Sequence, residues 1–318
     1  MNKQPLLSIC IPIYNRLVYL NRMLNRFLED KDLFEEDIHL YISDNCSNED
    51  LQSCCERFKQ QGLSLTYHRN NTNIGPDKNF EWCFQNTIGK YTWLLGSDDI
   101  PVQGLLRKIV SKLKEDEYGL FHLYHTEGQE VFSKQIHPND MAIKVSYWFT
   151  FISVNIFNSK VVQEIVFEPY RETNLLQLPV FLTACYGSHN NAILYLNKIF
   201  DADCDWLNNG GYNFYHVFVN NYLSIWREFC IQRRISDSVF KTIKKDLFTQ
   251  YIHPNNIRLL AQRNGNRKDT ESRKGLYVNH AWSYLFKFYG DKWYFYKSLL
   301  PLLYRYLRNL GGRILRKQ

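Results

Sequence analysis

An apolar run from Leu6 to Pro12 gives way at once to Tyr14, Asn15 and Arg16, and the same change recurs three more times before residue 100. Ile38 to Ser43 precedes Asp44 and Asn45. Ser64 to His68 precedes Arg69 and the loop Asn73-Ile74-Gly75, and Tyr91 to Leu95 precedes Ser97, Asp98 and Asp99. Short runs of this kind read as strands, and the continuous apolar run from Leu6 to Pro12 marks one buried on both faces, as in a parallel sheet. In an open α/β sheet, ligands bind beyond the carboxyl ends of the strands. The four polar clusters are therefore expected to meet along one edge and to form one pocket.

Between the runs the period changes to that of a helix. Leu17, Leu20, Leu24, Phe27 and Leu28 share one face, and Leu51, Cys55 and Phe58 share another, with Ser47 and Asn48 able to cap that second helix. Pro76 suits the first turn of a helix carrying Phe80, Cys83 and Phe84, and Pro101 is read as the start of the next. Strand and helix alternate, which predicts a mostly parallel sheet with right-handed crossovers. After residue 118 the rhythm loosens. Leu120 to Tyr124, Phe151 to Phe157 and Ile193 to Ile199 read as strands, with a short helix near Ser159 to Ile165. From Tyr212 the pattern is helical, so the chain divides at about residue 210, with 1–210 as the ligand-binding domain and 211–318 as a mainly helical C-terminal extension. Arg263 to Lys274 reads as an exposed basic loop.

The 318 residues, 45% apolar and 22% charged, suffice for one large core or one core with an appendage. Much of the net charge of +7 follows residue 260, in Arg263, Arg267, Lys268, Arg273, Lys274, Arg305, Arg308, Arg313, Arg316 and Lys317. None of the eight cysteines makes a Cys-x-x-Cys or a Cys/His pair with zinc spacing, so free thiols in a reducing cytosol are expected. The first residues lack a signal-peptide apolar region, and no stretch approaches the ~20 apolar residues that cross a bilayer. A cytoplasmic protein is the expectation.

Each cluster has a chemical and a plainer reading. Tyr14 and the backbone leaving strand one can face a base, and Arg16 can answer a phosphate; alternatively Asn15 simply caps the next helix. Asp44 can accept from a nucleobase N–H or a ribose hydroxyl, or can close an Asx turn. Arg69 ends strand three beside it. Gly75 permits a turn with positive φ, and Lys78 opens the following helix, where an anion is favoured. Asp98 and Asp99 are sharper. Adjacent carboxylates after an apolar strand repel unless a cation intervenes, and a diphosphate with Mg²⁺ or Mn²⁺ supplies one. Otherwise they form a solvated turn into the helix at Pro101.

Four motifs in this order make residues 6 to about 110 similar to family 2 glycosyltransferases of the GT-A fold. They are Ser8-Ile9-Cys10-Ile11-Pro12-Ile13-Tyr14-Asn15-Arg16, Ile42-Ser43-Asp44-Asn45-Cys46-Ser47, Asn73-Ile74-Gly75 and Ser97-Asp98-Asp99. Phe151-Ile152-Ser153-Val154-Asn155-Ile156-Phe157-Asn158 and Gly210-Gly211-Tyr212-Asn213 look like bacterial enzymes that build O-antigen or capsular polysaccharide, including abequosyltransferase-like members. The resemblance implies a Rossmann-like GT-A sheet flanked by helices. It also implies a metal-dependent, inverting transferase acting on a nucleotide-diphosphate sugar. Tyr14 and Asp44 would hold the base, with Pro12, Asn15 and Arg69 lining the pocket; Asp98 would take the metal, with Asp99 beside it contacting metal or sugar as a catalytic residue.

Two departures stand out. Where the family usually writes Asp-x-Asp-Asp, Gly96 fills the first position. The Glu-Asp pair that carries the family's catalytic base is absent from the matching stretch, Phe167 to Pro179, which leaves Glu172 and then Glu168 as candidates for the base. Leu299, Leu303, Tyr306 and Leu310 repeat at helical spacing opposite Lys297, Arg305 and Arg308, a basic amphipathic pattern suited to an anionic membrane and a lipid-linked saccharide acceptor at its inner face. The same helix could instead pack its leucines on the body of the protein. A catalytically degenerate sugar-nucleotide binder or scaffold is the competing class. A sugar-nucleotide nucleotidyltransferase is disfavoured, because Pro12-Ile13-Tyr14-Asn15 stands where a glycine-rich phosphate loop would be. Nucleic acid is not an expected partner, because the basic tail comes without an RNA-recognition motif.

Overall fold

The computed structural model describes residues 4–201, 212–253, 276–277 and 281–300. The expected loop Arg263 to Lys274, the Gly210-Gly211 pair and the terminal helix beyond Leu300 lie outside the described residues. The chain separates into two compact units, Met1–Asp205 and Trp206–Gln318.

In the first unit the strands are β1 (Leu7–Ile13), β2 (Ile38–Asp44), β3 (Leu65–Arg69), β4 (Tyr91–Leu94), β5 (Ile100–Pro101), β6 (Leu120–His125), β7 (Val131–Ile136), β8 (Asn155–Asn158), β9 (Asn191–Leu196) and β10 (Phe200–Asp201). The helices between them are α1 (Leu17–Leu28), α2 (Leu33–Glu36), α3 (Leu51–Gln60), α4 (Pro76–Asn86), α5 (Leu105–Leu113), α6 (Pro138–Val145) and α7 (Gln177–Tyr186). Eight strands form one sheet in the order β3-β2-β1-β4-β8-β6-β9-β7. The β1–β2, β2–β3, β1–β4 and β6–β9 pairings are parallel. β8 runs against both its neighbours, and β7 against β9.

Alternation along β1 divides the core. Leu7, Ile9, Ile11 and Ile13 face one way and join Leu20, Leu24 and Phe27 of α1, Leu51 and Phe58 of α3, and Ile109 and Leu113 of α5 in one buried cluster. Cys10 faces the other way, toward Cys83 of α4. That second face continues through the ring contacts Phe84–Phe157 at 5.5 Å and Phe157–Phe181 at 5.9 Å, from α4 across β8 to α7. Each such side chain contributes roughly 1.5–3 kcal/mol when fully buried. The sheet's carboxyl edge is thus held from both sides.

Several sequence expectations change here. Pro101 does not begin a helix: Ile100–Pro101 pairs antiparallel with Phe200–Asp201, and α5 starts only after Gly104, whose φ of 76° turns the chain. Residues 151–154 are not strand, because the Asn155 amide donates to the Trp148 and Phe151 carbonyls and holds that segment in 3₁₀ turns. The short helix near Ser159 to Ile165 is a 3₁₀ segment, Ser159–Glu164. Ser47 and Asn48 do not cap α3; Asp50 does, accepting from the Ser53 N–H at 3.0 Å. β7 and α7 are elements that the sequence patterns did not disclose.

In the second unit the π-type turns His216–Asn221 and Leu247–Ile252 lead into α8 (Tyr222–Ile231) and follow α9 (Asp237–Asp246), respectively. α10 (Ala281–Tyr289) packs against the first of these turns, with His216 Nδ1 2.9 Å from the Tyr284 hydroxyl. No described helix is long and apolar enough to cross a membrane. The seven described cysteines are free thiols, and Cys204 lies outside the described residues.

Candidate active site

The loops after β1 and β2 are zipped together at their backbones. The Asn45 N–H donates to the Ile13 carbonyl at 2.8 Å, the Asn15 N–H to Ser47 Oγ at 2.9 Å, and the Asn48 N–H to Asn15 Oδ1 at 2.7 Å. Asn15 and Cys46 both sit at positive φ, 52° and 65°. Strain of this kind in non-glycine residues gathers where the surrounding structure fixes a loop for use. Pro12 lies opposite Ser43 in the β1–β2 register, and Tyr14 is left 44% exposed at the rim.

Asp44 is completely buried. Its Oδ1 accepts from the Ser47 N–H at 2.8 Å, and its Oδ2 accepts from the Tyr67 hydroxyl at 2.7 Å and from Arg69 Nη1 at 2.8 Å. The Asx-type turn and the pairing with Arg69 are therefore both present. Arg69, 43% exposed along its side chain, also donates to the Ser47 carbonyl at 2.7 Å and lies over the carboxylate. Burial and the bond to Asp44 push the Tyr67 phenol well up. Sequence reading missed Tyr67, although it stands one strand over from Ile42 and two residues from Asp44 in register. Tyr67→Phe is expected to cost about 1.5 kcal/mol, the lower end for a hydrogen bond to a charged group, and to weaken nucleotide-induced stabilisation. Chemical denaturation and thermal-shift titration measure the two effects.

The Asn73-Ile74-Gly75 loop is built around Asn45. Asn45 Nδ2 donates to Asn73 Oδ1 at 2.9 Å and to the Gly75 carbonyl at 3.2 Å, and its Oδ1 accepts from the Ile74 N–H at 2.9 Å. Gly75 has the expected positive φ, 82°, and Pro76 opens α4. Asn79 locks α4 to the end of β2: its Oδ1 accepts from Ser43 Oγ at 2.6 Å, and its Nδ2 donates to the Ser43 carbonyl at 3.1 Å. Lys78, beside it, is exposed.

After β4 the chain turns back toward β1. Arg16 Nη1 reaches Asp98 Oδ1 at 2.9 Å and Ser97 Oγ at 3.3 Å, joining the first and fourth clusters. Asp99 folds the other way. Its Oδ2 accepts from Ser153 Oγ at 2.5 Å, while the same hydroxyl accepts from the Gly96 N–H at 2.8 Å. The Ser153 carbonyl is held in turn by the Trp93 indole N–H at 2.8 Å. Burial pushes the Asp99 carboxyl up to about 6, with the Asp98 charge adding to it and the Ser153 bond and Arg16 opposing it. Two hard carboxylates at a strand end, one of them already paired with Arg16, are oxygen donors of the kind a divalent ion takes. Among the described residues no group of three His, Cys, Asp or Glu side chains forms a complete cage.

Glu168 and Glu172 are both exposed, Glu168 in a 3₁₀ turn and Glu172 at φ 71°. What anchors their segment is a pair of carboxylates on one face of α4 that sequence reading missed. Glu81 takes Arg171 in a fork, at 2.6 and 2.7 Å, and Asp77 Oδ2 accepts from the Asn174 N–H at 2.7 Å. Asp77 is 5% exposed, and its Oδ1 lacks a well-aligned hydrogen-bond partner, as does Oε1 of buried Gln177 at the start of α7. Burial raises the Asp77 carboxyl above its ordinary range, against the pull of the Asn174, Leu176 and Glu172 N–H groups. Between the unfolded chain's value of about 3.9 and the raised native one, the folded state holds the extra proton. Asp77's contribution to stability thus falls as pH rises through that window. Asp77→Asn should remove the slope: the wild-type-minus-variant difference in unfolding free energy is expected to fall as pH rises from about 4 and then level off, and a flat difference in urea titrations would exclude it.

A model of the family described as "Glycosyl transferase family 2" matches residues 8–167. Abequosyltransferase RfbV of Salmonella typhimurium (strain LT2) is 38% identical over 95 residues, 30% of this chain and 28% of that protein, so the match spans less than a third of the relative. Among solved structures, Staphylococcus aureus TarS 1–349 superposes with a TM-score of 0.57 at 15% identity, covering 79% of this chain and 73% of that one. The same protein in complex with UDP-GlcNAc gives 0.56 at 14% identity, covering 84% and 78%. These structural likenesses bear on the fold alone, a GT-A-type sheet.

Proposed function

We infer the activity from one premise: the chain belongs to glycosyl transferase family 2. The reading is transfer of a sugar from a nucleotide-diphosphate donor to a saccharide acceptor in cell-surface polysaccharide assembly, with catalysis in residues 1–210. The observation that carries it is the meeting of Arg16 with Ser97 and Asp98, residues more than 80 positions apart drawn to one strand edge. One relative supports it, being named for the transfer of abequose, and the fold is one that in another protein was solved with UDP-GlcNAc.

In this reading Pro12, Tyr14, Asn15, Asp44 and Arg69 form the base and ribose side of the pocket. Asn45, Asn73 and Gly75 hold its floor, and Arg16, Lys78 and Ser97 lie on the phosphate side. Asp98, assisted by Asp99, would hold Mg²⁺ or Mn²⁺, which when bound offsets charge on the departing diphosphate. The chain's own part is to keep Asp98 turned toward the β1 loop and Asp99 turned away, through Arg16 and Ser153 respectively. A carboxylate then takes the acceptor hydroxyl's proton as the sugar inverts, a role assigned to Glu172 and then Glu168 and worth typically ~10²–10⁴-fold. Glu172 stands on the segment that Asp77 and Glu81 grip. The acceptor proposed is a lipid-linked oligosaccharide at the inner membrane face.

Thermal-shift titration with nucleoside diphosphates, with and without Mn²⁺, tests the pocket, because a ligand that binds only the folded chain must raise its melting point. Metal-enhanced stabilisation together with turnover of a sugar nucleotide supports the reading. Stabilisation without turnover, against a panel of donors and acceptors, assigns the protein instead to sugar-nucleotide binders that have lost catalysis. No stabilisation by any nucleotide overturns both.

A further inference from the structure

We propose that the exposed aromatic face formed by Trp282, Phe286, Trp293, Tyr296 and Leu300 docks on an anionic lipid bilayer. On α10, Leu285, Phe288 and Tyr289 turn inward and are buried, while Trp282 and Phe286, four residues apart, stand 41% and 50% exposed. In the helical residues 293–300, Phe295 is wholly buried, whereas Trp293, Tyr296 and Leu300 recur at i, i+3 and i+7 with exposures of 72%, 48% and 61%. Ring contacts join the two stripes into one patch: Trp282–Phe286 at 6.2 Å, Phe286–Phe295 at 5.3 Å and Phe295–Tyr296 at 5.3 Å. An apolar patch of linked rings, unlike scattered single residues, marks an interaction surface.

Charge selects the occupant. Lys297 Nζ lies 5.6 Å from the centre of the Trp293 ring, and exposed Lys287 adjoins the patch on α10. From Lys292 to the last residue the sequence carries seven lysines and arginines and no aspartate or glutamate. Tryptophan and tyrosine favour the bilayer–water boundary, where the ring is desolvated while its polar atom stays wet, and interleaved cations add attraction to anionic headgroups. A second copy is a poor occupant, because a two-fold interface on this face would bring Lys287 and Lys297 of each copy together. The inference rests on this surface of the second unit alone and stands apart from the nucleotide pocket.

Flotation of the full chain with phosphatidylcholine vesicles, with and without phosphatidylglycerol, tests it in the absence of any sugar nucleotide. Wild type should float with the anionic vesicles and stay behind with the zwitterionic ones, and raising salt well above about 0.1 M should release it. The combined Trp293→Ser and Leu300→Ser variant should lose at least about tenfold in partitioning while keeping the wild-type melting point, since these side chains are 72% and 61% exposed. Lys297→Glu, which leaves the rings in place, should weaken binding to anionic vesicles only. Failure of wild type to float overturns the proposal, as does equal flotation of the combined variant. A solution dimer that this variant dissociates would assign the face to a second copy and overturn it equally.

Discussion

Asp98→Ala is expected to lower sugar transfer by about 10²–10³-fold, the loss usual when one preorganised electrostatic partner of a developing charge is removed. The expectation follows from where the side chain sits. Asp98 is partly open to solvent, at 17%, yet its Oδ1 is held 2.9 Å from Arg16 on the loop after β1, so it faces the side on which the first cluster stands. Asp99, by contrast, is committed to Ser153. If a divalent ion bridges this edge to the diphosphate, Asp98 is the carboxylate able to take it without dismantling a buried hydrogen bond. Asp98→Asn keeps size and shape and removes only the charge, so it should fall nearly as far as alanine. Initial rates measured across a Mn²⁺ series decide the matter. A variant that turns over near the wild-type rate at every metal concentration removes Asp98 from the mechanism, whatever the fate of the nucleotide pocket.

The two halves of the first unit differ in how legible they are from sequence. The strands β1 to β4 could be read within a residue or two. β1, β2 and β4 are buried on both faces, and an unbroken apolar run that short rarely forms anything else. β3 is instead a partly exposed edge strand, marked by its Leu65-Thr66-Tyr67 stretch and the turn residues that follow. The clusters that follow them could be read for the same reason, since a parallel sheet sends every strand's carboxyl end to one edge. β7 could not. It is an edge strand with most of its side chains partly or fully exposed, Val131 among them at 46%, so its sequence carries little apolar signal. α7 failed in the opposite way: it is buried almost all round, and an evenly apolar helix has no period to detect. Among site residues, the sequence showed the carboxylates at the strand ends but not the long-range contacts that hold the site. Ser153 reaches Asp99 across 54 positions and a pair of 3₁₀ turns, and Glu81 finds Arg171 across 90. Contacts of that separation are set by tertiary packing and leave no local pattern. Tyr67 and Asp77 escaped for a related reason: each sits on an element whose pattern its neighbours already define.

The departure at position 96 supplies the second large effect. Gly96→Ala is expected to lower the melting point by only a few degrees while reducing transfer by about 10²-fold or more. A Cβ built on Gly96 would stand 2.5 Å from Asp99 Oδ2 and 3.2 Å from Ser153 Oγ. The first distance is impossible to keep, but the obstructing atom is the end of a rotatable side chain, so the backbone need not move. Asp99 must swing away instead, giving up its 2.5 Å bond to Ser153 and bringing its charge nearer to Asp98. In the ordinary family pattern an aspartate occupies this position. Here, glycine is what lets Asp99 fold back on Ser153, and Gly96→Asp should therefore be worse than alanine, adding a third carboxylate to a pair already short of positive charge. Ser153→Ala separates the two contributions, since it deletes the same hydrogen bond without pushing Asp99 aside; a loss several-fold smaller than that of Gly96→Ala is expected. If Gly96→Ala instead retains full activity with an unaltered Mn²⁺ requirement, then the orientation of Asp99 has no part in the reaction, and the metal must be held by Asp98 and the substrate alone.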